Sequence, residues 1–281
     1  MWLGMLLSST MLQSNRPNLS NCRSPLLSMQ TTKVLTLQIA HADYASAIDW
    51  VLDKARCADR AYAVEAGNTH VAALAQTNAR FREAMEQFDL IVPDGMPLVW
   101  ALNSANDKDS RLSERVYGPT LMLKAFKSTD PTARHFLLGG KQSTLDKLQT
   151  HFSSTCPHAK IAGMYSPPFG DWPDDEFEKI CGLIRESKAN LIWVGLGCPK
   201  QEQWIAEHKD RLPPGVYFGI GAAFAFHAGE VKQAPELFQK NGMEWLFRLC
   251  MEPRRLWRRY FTYNSLFAYH YAKSRISSDP L

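Results

Sequence analysis

LIWVGLGCPKQEQW, residues 191–204, decides how the rest of the chain is read. Four apolar residues, Leu191, Ile192, Trp193 and Val194, run into Gly195-Leu196-Gly197. The polar cluster Pro199-Lys200-Gln201-Glu202 then opens a segment with helical spacing through Trp204, Ile205 and His208. Continuous apolarity over a short run suits a strand buried on both faces, and the spacing that follows suits a helix. The junction is therefore strand, glycine turn, helix N-terminus. In α/β sheets such junctions bind anions, because glycine lets a ligand approach backbone N–H groups at the positive helix end. A plain βα turn is the alternative, but three adjacent polar residues beyond the glycines favour a ligand.

Outward from this stretch, strand-like and helix-like segments alternate. The N-terminal run Lys33–Ile39 reads as a strand, 44–55 as a helix, 61–66 as a strand ending at Gly67-Asn68, and 70–77 and 79–87 as helices. A short buried strand, 89–93, ends in Asp94-Gly95, with a helix from Met96. Residues 103–114 form a polar loop, 119–126 a helix, 135–138 a strand ending at Gly139-Gly140, and 141–144 a helix start. Next come a strand over 160–164, a helix over 174–186 and a strand over 216–220 that ends in Gly219-Ile220-Gly221. The alternation predicts an α/β fold: a Rossmann-like, mostly parallel sheet with helices on both faces. In such a sheet the strand ends share one edge, so these glycine-bearing loops should converge on one crevice.

Length and composition agree. With 281 residues, 45% hydrophobic and 21% charged, the chain suits one large α/β domain, or one domain plus a small appendage. Six scattered cysteines without a CxxC pair fit a reduced compartment and give no zinc pattern. The opening MWLGMLLSSTML lacks a basic flank and falls short of the roughly 20 apolar residues of a spanning helix, so 1–31 reads as a disordered leader. The globular domain is then 32–241 and the appendage 242–281.

The loops offer chemistry. Asp94 is either an ordinary turn residue or a carboxylate able to deprotonate an attacking hydroxyl. Asn68 could cap a helix, and Gly139-Gly140 could be a turn or receive a diphosphate. The C-terminal stretch differs in character. Arg248, Arg254, Arg255, Arg258 and Arg259 interleave with Leu246, Leu249, Leu256, Trp257, Tyr260 and Phe261 at helical spacing, with Pro253 placed to start a second helix. A cationic, aromatic, amphipathic pair of helices suits an anionic membrane surface and a lipid-linked phosphate, or a helix packed on its own domain with a solvated basic face. Nothing else resembles a nucleic-acid module.

The segments FDLIVPDGMPLVW (88–100), ERVYGPTLM (114–122), FLLGG (136–140), VGLGCPKQEQW (194–204), GIGAAFAFHAG (219–229), QAPE (233–236) and GMEWLFRLCMEPRRLWRRY (242–260) together resemble the WecG/TagA/CpsF glycosyltransferases. The resemblance spans roughly residues 33–265. It implies an inverting transfer from a UDP-sugar to the hydroxyl of an undecaprenyl-diphosphate-linked saccharide. It also implies Asp94 as base and Arg115 as an active-site cation. Asn68, Gly95, Gly139, Gly140, Gly195, Gly197, Gln201, Glu202 and Gly221 fall to the donor, and the five arginines to lipid diphosphate and membrane. It implies no metal and no cofactor, allows a homo-oligomer, and places the enzyme on the inner face of a bacterial plasma membrane. Three positions depart from the family pattern: Ala66 for threonine, Ala225 for aspartate and Gln233 for arginine. They leave the fold expectation intact and point to a different sugar. Two competing readings are an NAD(P)-dependent oxidoreductase, which lacks the third glycine of GxGxxG, and a non-catalytic nucleotide-sugar-binding subunit.

Overall fold

Period-two alternation inside the apolar runs is what builds the centre of the molecule. Leu191 and Trp193 face one layer of helices and Ile192 and Val194 the other. The structure is a computed structural model that describes residues 29–105, 110–170, 172–232, 234–235, 238 and 243–276, with Glu244 and Arg255 as backbone only. Residues 1–28 of the expected leader, the centre of the polar loop, Gln233 and the Arg255 side chain lie outside the described residues.

Six strands form one parallel sheet: β3 (Ala61–Gly67), β4 (Leu90–Pro93), β5 (Arg134–Gly139), β6 (Lys160–Tyr165), β7 (Leu191–Gly195) and β8 (Gly215–Gly219), in the spatial order β4-β3-β8-β7-β5-β6. The expected α/β fold is present. One face packs on α1 (Tyr44–Arg56), α5 (Gly118–Phe126), α6 (Gln142–Thr155) and α9 (Ala222–His227), through residues such as Val64, Trp193, Phe218, Val51, Met122, Phe152 and Phe224. The other packs on α7 (Asp174–Ser187) and α8 (Lys200–His208), through Phe136, Val194, Tyr217, Ile180 and Ile205.

One segment differs from expectation. Lys33–Ile39 is not a single strand but an antiparallel hairpin of β1 (Thr31–Val34) and β2 (Leu37–Ala40), turning at Leu35 with φ +57°. A leucine in the left-handed region carries no sequence signal for a turn. β1 thus begins inside the expected leader. The hairpin joins α2 (Thr69–Thr77), α3 (Ala79–Glu86) and α4 (Met96–Ala105) in a third apolar cluster. Of the cysteines, Cys156, Cys181, Cys198 and Cys250 are free thiols whereas Cys57 carries a disulfide, so an all-reduced set is not what the structure has.

Two helices complete the chain: α10 (Glu244–Met251) and α11 (Pro253–Ile276), with Pro253 at the start of the second as expected. α11 lies along α2. Phe267 joins the third cluster, the Thr69 hydroxyl donates to Asn264 Oδ1 at 2.7 Å, and the His70 ring meets Tyr263 edge-on at 4.3 Å. Trp245, Met251, Trp257, Phe261 and Tyr269 remain exposed on the same pair of helices. Among the described residues no helix is long and apolar enough to cross a membrane.

Candidate active site

The chain leaving β7 goes to β8 on one side, and the chain leaving β5 goes to β6 on the other. Loops that diverge in this way open a crevice at the carboxyl ends of their strands. Gly139 and Gly195 are register partners there. Gly139 has φ +99°, and a Cβ on it would stand 2.8 Å from the Gly195 carbonyl oxygen, so only glycine lets the two loops part at this point.

Two clefts meet at this spot and share Gly140, Lys141 and Gly195 as a common wall. The larger, about 800 Å³, opens toward α8 and is lined by Phe169, Trp172, Lys200 and Trp204. Trp172 packs edge-on against Trp204 at 5.8 Å. Phe169 is fully exposed, with the Lys200 ammonium 5.9 Å from its ring centre. The smaller, about 630 Å³, reaches Thr144, Gly221, Ala225 and Glu230. Sequence reading missed Phe169, Trp172 and Trp204 as site residues. Their signal was two aromatics in a Pro/Gly loop, of which Phe169 is exposed and Trp172 half-buried against Trp204.

Side-chain caps close the starts of α1, α2 and α3 and are absent from those of α5, α6, α7, α8, α9 and α10. Asp43, Asn68 and Asn78 accept from the first backbone N–H groups of α1, α2 and α3. The N-termini of α6 and α8, which begin after Lys141 and Pro199 at the crevice, carry no side-chain cap. Uncapped N–H groups at a positive helix end, each beside a lysine, can receive a phosphate oxygen.

Gln201 holds the adjoining loops together. Its Oε1 accepts from the Gly197 N–H at 3.0 Å and the Gly221 N–H at 3.2 Å. Its Nε2 donates to the Gly219 carbonyl at 2.6 Å and to Glu202 Oε1 at 2.9 Å. The side chain is buried, and these four bonds occupy its amide within the protein. Glu202 and Glu65 are buried as well, at 0% and 3% exposure. Burial pushes the Glu202 carboxyl up to about 7, and burial together with Glu202 and Asp94 holds that of Glu65 well above the usual carboxylate range.

Asp94 stands elsewhere on the edge. It lines neither cleft, and β4 is three positions from β7, roughly 14 Å at the usual strand spacing. The strand ends expected to converge on a single crevice are thus spread along the sheet edge. Asp94 N–H donates to the Gly67 carbonyl at 2.7 Å, and Asp94 Oδ1 accepts from the Gly118 N–H at 3.3 Å. Val116 N–H donates to the Pro93 carbonyl at 2.8 Å, which ties the Arg115–Gly118 segment to the end of β4. The Arg115 guanidinium lies 4.3 Å from the Tyr117 ring centre, and Nη1 reaches the Asp94 carbonyl oxygen at 3.5 Å. Gly118 packs against Ile220, so the Asp94 end of the sheet edge touches the loop that Gln201 holds. Gly95 opens α4 and approaches Asn68, whose Oδ1 is taken by the His70 and Val71 N–H groups.

The arginines of the appendage divide. Arg248 lies 5.2 Å from the Phe226 ring centre, and Phe226 meets Tyr117 edge-on at 5.8 Å, which brings Arg248 to the Arg115 side of the sheet edge. Arg259 Nη2 donates to His70 Nδ1 at 2.9 Å. Arg254 and Arg258 are exposed. Among the described residues no three His, Cys, Asp or Glu side chains stand together as metal ligands.

The model of the "Glycosyl transferase WecG/TagA/CpsF family" matches residues 32–280. The chain is similar to an N-acetylglucosaminyldiphosphoundecaprenol N-acetyl-beta-D-mannosaminyltransferase of Bacillus subtilis (strain 168), at 27% identity over 82% of this chain and 87% of the relative. A protein of the same name from Staphylococcus aureus (strain MW2) is 29% identical over 68% of this chain and 72% of the relative. With its sheet, its glycine loops and nearly all of its length matched, this chain belongs to the WecG/TagA/CpsF family of glycosyltransferases.

Proposed function

We propose that this enzyme moves a hexose or N-acetylhexosamine from a UDP-sugar to a hydroxyl of an undecaprenyl-diphosphate-linked saccharide, in cell-surface or exopolysaccharide assembly. The nucleobase takes the aromatic cleft at Phe169 and Trp172. The diphosphate takes the uncapped N-termini of α6 and α8 with Lys141 and Lys200. The sugar points along Gly221 toward Asp94. Roughly 14 Å of sheet edge fits a donor laid lengthwise better than one confined to a single loop.

In this reading the Asp94 carboxylate receives the proton of the acceptor hydroxyl as its oxygen attacks the anomeric carbon. The bond to UDP breaks on the opposite face, so configuration inverts. Charge developing on the leaving diphosphate is met by fixed N–H dipoles and lysines, an arrangement that needs no reorganisation during the reaction and no metal. Arg115 and Arg248 supply positive charge at the acceptor end. The exposed aromatic and basic surface of α10 and α11 holds the enzyme on an anionic membrane, where a polyprenyl-diphosphate acceptor resides.

The observation that carries the reading is the placement of Asp94 and the glycine loops on one edge of one parallel sheet, joined by the Gly118–Ile220 contact. The names of the relatives support the acceptor class. The test is a screen of UDP-hexoses and UDP-N-acetylhexosamines against extracted polyprenyl-diphosphate saccharides, read by mass, with and without EDTA. One donor should add one sugar to the lipid in both conditions. Binding of UDP without transfer from any donor would instead mark a non-catalytic subunit.

A further inference from the structure

Glu65 is the only charged residue in the strand AYAVEAG, and its register partner on β8 is Gly219. Its Oε2 rests where a Cβ on residue 219 would stand, so glycine there makes room for a carboxylate inside the sheet. Glu202, in the first turn of α8, is linked to this place through Gln201, whose Nε2 lies 3.7 Å from that Cβ position and 2.9 Å from Glu202 Oε1. One of its oxygens accepts from Gln201. Its other oxygen, and Oε2 of Glu65, are both buried without a hydrogen-bond partner. Two ionised carboxylates in this position would repel each other and leave two orphan acceptors, a cost of several kcal/mol that buried groups avoid by keeping a proton.

The groups around the pair do not neutralise it. Asp94, at the end of β4, adds a further negative charge. The Cys198 thiol, in the loop before α8, is a weak donor to Glu202. The Arg259 cation of α11 gives a hydrogen bond to His70 of α2, which burial and that arginine keep neutral, and its pull toward the ionised form of Glu202 is outweighed by burial.

We propose that Glu65 and Glu202 hold one proton between them, and that Glu202 is thereby a positioning residue for Gln201. With that proton in place, Glu202 Oε1 fixes the direction of the Gln201 Nε2 group, which in turn aims Oε1 at Gly197 and Gly221. The loops on both sides of the donor site are then set by one buried proton. The positioning role rests on the UDP-sugar reading of the site, whereas the shared proton does not.

The experiment uses the full chain and two readouts. Infrared spectroscopy at neutral pH should show the C=O stretch of a protonated carboxyl in the unaltered protein and lose it in Glu65→Gln, whose amide replaces the proton. Absence of that band from the unaltered protein overturns the proposal, as does its survival in the variant. Both carboxyls titrate above their unfolded values, so the folded state binds the extra proton. Melting temperature and UDP affinity should therefore both fall as pH rises through about 7. The fall in melting temperature needs no variant, and its absence also overturns the proposal. For the positioning role, Glu202→Ala should bind UDP about tenfold more weakly while melting as one transition, a loss of the size expected for one buried hydrogen bond. UDP affinity equal to that of the unaltered protein at every pH would overturn that role. If the unaltered protein binds no UDP at any pH, the donor reading fails while the infrared result still decides the shared proton.

Discussion

Gln201 Oε1 accepts a hydrogen bond from the Gly221 N–H at 3.2 Å, across a separation of 20 residues, while the Gly197 N–H binds the same oxygen at 3.0 Å. One side chain thus fastens the loop after β7 to the loop after β8. Gly118 seated on Ile220 extends this link to Asp94. Geometry at the diphosphate end and geometry at the proposed base are linked through these contacts of the Gln201, Ile220 and Asp94 side chains.

Replacing Gln201 by leucine keeps the bulk and removes all four bonds. The Gly219 carbonyl and Glu202 would be left buried without this partner, and the more exposed Gly197 and Gly221 N–H groups would lose theirs, a cost of roughly 2–4 kcal/mol. In a chain of this size that lowers the melting temperature by roughly 5–15 °C. Thermal unfolding of Gln201→Leu checks it, and an unchanged midpoint would show the amide to be dispensable.

The aromatic cleft predicts a separable effect on binding. Phe169 is solvent-exposed at the rim and Trp172 lies on a loop, so truncating them should cost little stability. If a nucleobase stacks there, Phe169→Ala and Trp172→Ala should each weaken UDP binding by about 1–2 kcal/mol, roughly 5- to 30-fold. Calorimetric titration with UDP and with inorganic diphosphate distinguishes the base from the phosphates, because only UDP affinity should change.

These residues show what the sequence made legible. Every strand of the parallel sheet was visible, because apolar runs ending in glycine or Asp-Gly have few other uses. The insertion of β8 between β3 and β7 was not, since strand order is set by long-range packing that no local pattern encodes. Among the site residues, the glycines were readable from position alone. Gln201 was read as a ligand contact because polarity beside a glycine loop looks the same whether the side chain turns outward or, as here, inward. Glu65, a lone carboxylate within AYAVEAG, was a signal available in the sequence and passed over. The hairpin turn at Leu35 had no signal at all.

Acid sensitivity follows from a core histidine. His135 stacks on Phe126 at 3.8 Å and accepts from the Trp193 Nε1–H at 3.1 Å, and burial lowers its pKa from 6.5 to about 3. A depressed histidine pKa means that the unfolded chain takes up the proton first. Stability is then fully present above 6.5 and is lost as pH falls from there toward 3. The stability margin of the unaltered protein over His135→Phe, about 1 kcal/mol at neutral pH for the orphaned indole N–H, should shrink as pH falls from 6.5 toward 4 and then reverse.

On the membrane side, Arg254 and Arg258 are exposed beside Trp257 and Phe261, whereas Arg248 and Arg259 engage Phe226 and His70. Charge reversal at Arg254 and Arg258 should abolish most co-sedimentation with phosphatidylglycerol vesicles, and binding of the unaltered protein should weaken with added salt. UDP affinity should be unaffected. Undiminished vesicle binding by the doubly reversed variant would remove these two arginines from the docking surface.

In the proposed reaction Asp94 takes the proton from the acceptor hydroxyl at the opposite end of the sheet edge from the UDP moiety of the donor. Substitution Asp94→Asn preserves size and the acceptor that meets the Gly118 N–H while removing the basic carboxylate. Transfer of sugar to a polyprenyl-diphosphate saccharide, followed by mass alongside UDP affinity for both proteins, is the direct measurement. The predicted result is a loss of turnover of roughly 100-fold or more with UDP binding unchanged. Turnover by Asp94→Asn equal to that of the unaltered enzyme would contradict it.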